Sequence, residues 1–169
     1  MFKMPVVDLA EEARKLGESG KRVKILWQYS ESIGFVARGR EYRSEFHVNA
    51  SDEVMYMIKG EMHLHYRTPD GREEVAVIPE GSSIFTPTGI AHSPRFPPDA
   101  FALITERRRK KGEVDRFFWF CPNCDAQLHE EVLVVEDYGT DPVSQAYKNF
   151  FDSEEFRTCK QCGTVMPAP

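Results

Sequence analysis

The stretch Arg43-Ser-Glu45-Phe-His47-Val-Asn49-Ala-Ser-Asp-Glu53-Val-Met55-Tyr-Met-Ile-Lys-Gly60 decides the reading of the fold, and it has an echo at Gly81-Ser-Ser-Ile-Phe-Thr-Pro87-Thr-Gly89-Ile-Ala-His92. The first block reads His-x5-Glu-x6-Gly and the second Gly-x5-Pro-x-Gly-x2-His. Together His47, Glu53 and His92 offer two imidazoles and one carboxylate. That donor set suits a divalent metal with open positions, and a two-histidine, one-carboxylate face is the arrangement expected of a non-haem Fe(II) oxygenase. Singly, each residue has a plainer explanation: a strand histidine, a surface carboxylate, a hydrogen-bonded core imidazole. Their joint place inside two spaced glycine and proline patterns selects the metal reading.

Working outward, Val23 to Glu106 holds short segments rich in β-branched and aromatic residues: 23–29, 33–37, 42–47, 54–58, 61–66, 74–78, 83–85 and 101–106. Turn signals at Arg38-Gly39, Lys59-Gly60, Pro69-Asp70-Gly71, Pro79-Glu80-Gly81 and Pro87-Thr88-Gly89 separate them. Many short strands at close intervals predict an antiparallel sandwich or barrel. Alternation along 61–66 sets Met62, Leu64 and Tyr66 on one face and His63 and His65 on the other, away from the metal motifs. Ahead of the barrel, Leu9, Ala13 and Leu16 recur at helical spacing behind Asp8, a candidate N-cap, and Gly17 or Gly20 ends the helix. Beyond Phe117 come a Cys121-x2-Cys124 knuckle, an apolar strand, a helical pattern over 141–156 and a second knuckle, Cys159-x2-Cys162. The expected organisation is an N-terminal helical segment 1–22, a barrel 23–116 and a C-terminal subdomain 117–169.

Composition narrows the partners. A net charge of −5 argues against binding a nucleic-acid backbone. The run Arg107-Arg108-Arg109-Lys110-Lys111 reads as a solvated loop. No stretch is long and apolar enough to span a bilayer, and the N-terminus lacks the apolar core of a signal peptide, so a cytoplasmic protein without membrane partners is expected. Paired Cys-x2-Cys knuckles wrap one tetrahedral sulfur site, which suits zinc or a single iron in a structural role.

The two glycine and proline patterns resemble those of the cupin superfamily, small β-barrels with a metal inside; Asn49 stands where many cupins place a further histidine. More narrowly, the chain resembles the 3-hydroxyanthranilate 3,4-dioxygenases from about Trp27 to Cys162. The resemblance is carried by Arg43-x3-His47-x5-Glu53, Pro87-x4-His92-Ser-Pro94, Ile104-Thr-Glu106-Arg-Arg-Arg, and Phe118-Trp119-Phe120-Cys121-Pro-Asn-Cys124 with Cys159-Lys-Gln-Cys162. It implies that His47, Glu53 and His92 hold a catalytic Fe(II). By the same resemblance Arg43 and Glu106 contact substrate, and Cys121, Cys124, Cys159 and Cys162 hold a second, rubredoxin-like iron, or zinc. A homodimer is implied as well. The implied reaction opens the ring of 3-hydroxyanthranilate beside its hydroxyl-bearing carbon and places both atoms of O2 in a muconate semialdehyde.

Departures from that family gather at substrate contacts. Its members carry His-Ser-Pro-Gln-Arg, whose arginine helps to clamp the substrate carboxylate; here Arg95 arrives one position early and Phe96 stands at the clamp position. A one-residue slip on a strand turns a side chain to the opposite face. Glu45 replaces the usual aspartate two positions before His47, and Met55 replaces an aromatic residue. Three functions therefore stay open: cleavage of 3-hydroxyanthranilate, cleavage of a different aminophenol, hydroxy-aminobenzoate or catechol, and a non-catalytic cupin that binds or senses a small ligand.

Overall fold

The computed structural model describes residues 4–135 and 142–169. Helix α1 (Leu9–Ser19) opens on Asp8, whose carboxylate accepts from the Glu11 amide, and closes on Gly20 in the left-handed region; Gly17 lies inside it. Its Ala13 and Leu16 bury against Val36 and Phe101. Among the described residues eleven strands follow in two antiparallel sheets, the expected all-β architecture with few helices. The strands are β1 (Val23–Tyr29), β2 (Ser32–Arg38), β3 (Phe46–Val48), β4 (Glu53–Lys59), β5 (Met62–Arg67), β6 (Glu73–Ile78), β7 (Ser83–Thr86), β8 (His92–Arg95), β9 (Phe101–Arg107), β10 (Asp115–Phe120) and β11 (Gln127–Leu133). One sheet runs β1-β2-β9-β4-β7 and the other β11-β10-β3-β8-β5-β6. Met55, Met57, Met62, Leu64, Phe96, Ala102 and Ile104 fill the space between them.

Two segments depart from the sequence reading. Residues 42–45 were expected in a strand, but pairing begins only at Phe46. Tyr42 instead packs edge-on against Tyr147 and Phe151, and the Ser44 amide donates to the Tyr147 hydroxyl at 2.6 Å. A helix face thus takes the place of a neighbouring strand there. Conversely, β8 was absent from the expected strands, and its Pro94 lacks the amide a sheet interior needs. It is four residues long and still lies between β3 and β5, with Pro94 opposite Leu64.

The C-terminal residues extend the second sheet. β10 crosses the expected boundary after residue 116 and pairs with β3, setting Phe117 opposite His47. The helical pattern over 141–156 resolves into α2 (Pro142–Phe151) and α3 (Glu154–Arg157); Asp141 lies outside the described residues. α2 docks through Phe150, stacked on Trp119 at 4.2 Å. Among the described residues no helix is long and apolar enough to cross a membrane.

Gly39 marks a close approach that shapes the mouth of the barrel. A Cβ there would sit 2.2 Å from the Phe96 carbonyl oxygen and 2.1 Å from that of Pro97. Because both obstacles are backbone, they cannot rotate aside. Gly39→Ala is expected to destabilise the protein by about 1–3 kcal/mol, the usual scale of overpacking, measured as a lower midpoint in urea unfolding.

Candidate metal centre and cavity

The sheet registers bring the motif residues together. His47 on β3 lies directly opposite His92 on β8, and Glu53 on β4 lies directly opposite Glu106 on β9. The donor atoms of His47, Glu53 and His92 fall within 4.8 Å of one another. His92 Nδ1 meets the Ile90 carbonyl at 2.8 Å, and its Nε2 lies 3.1 Å from Glu53 Oε2. Asn49, at the position where other cupins place a histidine, donates to Glu53 at 3.0 Å and to Glu106 at 2.8 Å.

Arg109 donates to Glu106 at 2.8 Å and grips both oxygens of Asp115, whose Oδ2 lies 2.8 Å from His47 Nε2. This corrects the reading of the basic run as a solvated loop: Arg109 is only 5% exposed. Arg107, from the same run, forks onto Glu113. Neither Arg109 nor Asp115 stood out from sequence as a site residue. The available signals were the Ile104-Thr-Glu106-Arg-Arg-Arg motif, which ends on Arg109, and the apolar run DRFFWF, which begins at Asp115.

The donor set fits a divalent cation. Among the described residues of this buried network, three carboxylates (Glu53, Glu106, Asp115) face one guanidinium, Arg109. Buried charge without a partner is costly, and a doubly charged cation held by two imidazoles and a carboxylate would offset the excess. Titration tells the same story. Burial and the Glu53 charge push Glu106 up to about 7, against the opposing pull of Arg109. Asp115 is held down at about 2: burial opposes ionisation, but the hydrogen bonds from Arg109 and His47 outweigh it. Burial lowers His47. Burial also pulls on His92, yet the Glu53 carboxylate carries it above the usual value.

A cavity of about 120 Å³ opens over these residues. Its polar wall includes Arg43, His47, Glu53, His92, Glu106, Arg109 and Asp115, and its apolar wall Phe35, Pro94, Phe96, Ile104 and Val135. Comparable apolar cavities of roughly 150 Å³ hold a benzene ring. Strand alternation sends His92, Pro94 and Phe96 inward and leaves Arg95 outside, over the Phe46 ring and with its Nε 3.2 Å from Ser93. The β5–β8 register is unbroken, so no bulge returns Arg95 to the cavity. Glu45 is fully buried beside Arg43 Nε at 2.7 Å, and Met55 sits in the core; neither lines the cavity. His63 and His65 pair with Glu61 and Glu73 on the outside of the barrel.

At the other end of the second sheet, four free cysteines converge, with Cys121–Cys162 and Cys124–Cys159 sulfur separations of 3.6 Å. The knuckles repeat one design. In each, the amide of the first cysteine meets a carbonyl five residues on, and Asp125 or Gly163 supplies a left-handed turn just after the second cysteine. Arg67 ties this end to β5, donating to Asp125 at 2.6 Å and lying 3.9 Å over the Phe120 ring.

Comparison with known proteins places the chain in a family. A family model described as 3-hydroxyanthranilic acid dioxygenase matches residues 9–151. The chain is similar to a protein of Bacillus thuringiensis named 3-hydroxyanthranilate 3,4-dioxygenase, 35% identical over 93% of this chain and 87% of that one. A Burkholderia cenocepacia protein of the same name is 33% identical over 84% of this chain and 80% of its own length. Among solved structures, a cupin-2 domain containing protein from Shewanella frigidimarina overlays with a TM-score of 0.48 at 17% identity, covering 61% of this chain and 95% of that one.

Two measurements follow. His92→Ala and Cys124→Ser should each purify with one metal equivalent fewer than the parent, read by elemental analysis, because each removes a ligand from a different cluster. A raised carboxyl value favours the protonated fold, so the Glu106 contribution is complete below 4.5 and lost as pH climbs through about 7. With the His47–Glu53–His92 centre free of metal, Glu106→Gln should therefore gain stability relative to the parent between pH 5 and 8, measured by urea unfolding across that range.

Proposed function

The chain belongs to the 3-hydroxyanthranilic acid dioxygenase family, and from that premise we propose that it is a non-haem Fe(II) dioxygenase opening the ring of 3-hydroxyanthranilate to 2-amino-3-carboxymuconate semialdehyde, with both atoms of O2 retained. The observation that carries the proposal is the convergence of His47, Glu53 and His92 beneath a cavity of single-ring size. Fe(II) held by these three residues would supply an open face for O2 and for an electron-rich aminophenol. We assign the remaining work to the chain's own groups. Phe96, Pro94, Ile104 and Phe35 enclose the ring and exclude water. Arg43, at the cavity wall and braced by Glu45, offers a guanidinium to an anionic oxygen of the substrate. Glu106, poised near neutrality, takes the proton that the aminophenol hydroxyl gives up on binding. Beside a cation, its ionised form is favoured further, which suits that role.

The four cysteines are assigned a structural iron or zinc, since their sulfur set is closed and no cavity-lining residue belongs to it. The proposal places the enzyme in the cytoplasm as a homodimer. The free thiols suit a reducing compartment, and the exposed Val75 and Val77 on β6 with Phe85 on β7 offer apolar surface to a second copy.

One observation favours a related substrate. Phe96 occupies the wall where the family resemblance expects a carboxylate clamp, and Arg95 faces away. An aminophenol or catechol without a carboxylate at that place would fit the same wall. The deciding experiment is O2 consumption by Fe(II)-loaded protein across 3-hydroxyanthranilate, 2-aminophenol and catechol. Uptake with 3-hydroxyanthranilate is expected, and Phe96→Arg should raise kcat/KM for it about tenfold over 2-aminophenol, the scale of one charge-assisted hydrogen bond. Silence across the whole panel would remove the enzymatic reading.

A further inference from the structure

The face that β10 turns to the metal centre holds more than a wall. Asp115 and Phe117, two residues apart on one strand, project to the same side. Phe117, wholly buried, stacks on the His47 ring at 4.8 Å with an interplanar angle of 11°. Asp115 takes the edge of the same ring at Nε2. His47 is therefore held on a flat face and at one nitrogen by a strand that lies 68 residues away in sequence. Arg109 in turn fixes Asp115 through two guanidinium nitrogens and reaches Glu106 with a third. The donor atoms that converge within 4.8 Å are those of His47, Glu53 and His92, and Asp115 reaches the group through His47.

We infer that Asp115, clamped by Arg109, is a positioning residue that fixes the His47 ring for the metal, and that Arg109 ties this ligand to Glu106 so that metal and proton acceptor keep one geometry. Groups that orient a metal-bound imidazole typically contribute 10–100-fold to metal affinity or activity. A planar fork is needed to hold two carboxylates at once, so lysine cannot replace Arg109 without loosening the arrangement.

The inference rests on reading His47, Glu53 and His92 as a metal centre, and the test separates the two. Fe(II) is titrated in competition with a chromogenic chelator, using His92→Ala to define the metal that remains at the cysteines. Asp115→Asn is near-isosteric and keeps a polar contact to His47 but loses the charge that Arg109 grips. It should weaken metal binding at the centre by about 10–100-fold, while urea unfolding stays cooperative. Arg109→Lys should weaken metal binding several-fold in the same assay, and it decides the question where Asp115→Asn does not fold. Unchanged metal affinity in a folded variant overturns the inference. So does an altered visible spectrum of Co(II)-substituted Asp115→Asn with a loss beyond about 1,000-fold, because that marks Asp115 as a direct ligand. If the parent itself binds no metal beyond that of His92→Ala, the metal-centre reading fails instead.

Discussion

A barrel interior is a poor place for charge, and this one contains Glu53, Glu106, Asp115, Arg109 and two imidazoles side by side. Isolated ions in such surroundings shed or gain protons to become neutral, or the structure rearranges around them. Here they persist as an unbroken path: His92 to Glu53, to Asn49, to Glu106, to Arg109, to Asp115, to His47. The His92–Glu53 link crosses from one sheet to the other, so the registers of both sheets are tied to the electrostatics of one site. A slip of one residue in β3 or β8 would turn His47 or His92 outward and break the path at its end.

Around that path the rest of the chain acts as a frame. α1 closes one sheet through Leu16 and Phe101, while α2 closes the other through Phe150 and Trp119. Trp119 also donates from its indole to Ser44, just before the metal motif begins. The cysteine end is joined to the barrel by Arg67, which touches Asp125 in one knuckle and the Phe46 ring beside His47. Arg67 thus reaches from the cysteine end to the ring beside His47, although nothing links the two in local sequence.

The parts legible in the sequence were those with local causes. Asp8 and Gly20 bound a helix through cap chemistry, and Thr68 to Arg72 form a hairpin whose turn residues name it. His47, Glu53 and His92 were legible because the glycine and proline spacing fixes where short strands start and stop. The opposite-face placement of Arg95 followed from strand period alone. What escaped had non-local causes. Arg109 looked like one more cation in a surface run; Glu106 and Asp115 lie only three and six residues away, but it takes the folded barrel to bury all three. Residues 42–45 read as strand because the helix face that meets them lies 103 positions away.

The position of β10 also bears on synthesis of the chain. His47 lies on a three-residue strand whose neighbours are β8 and β10. A nascent chain that has not yet released residues 115–120 from the ribosome can pair β3 on one side only, and it presents His47 to solvent on the other. Contacts that close over such sequence distances form late in folding. Closure of the second side of His47 therefore waits on β10, by which point the strands that carry Glu53 and His92 have already been made.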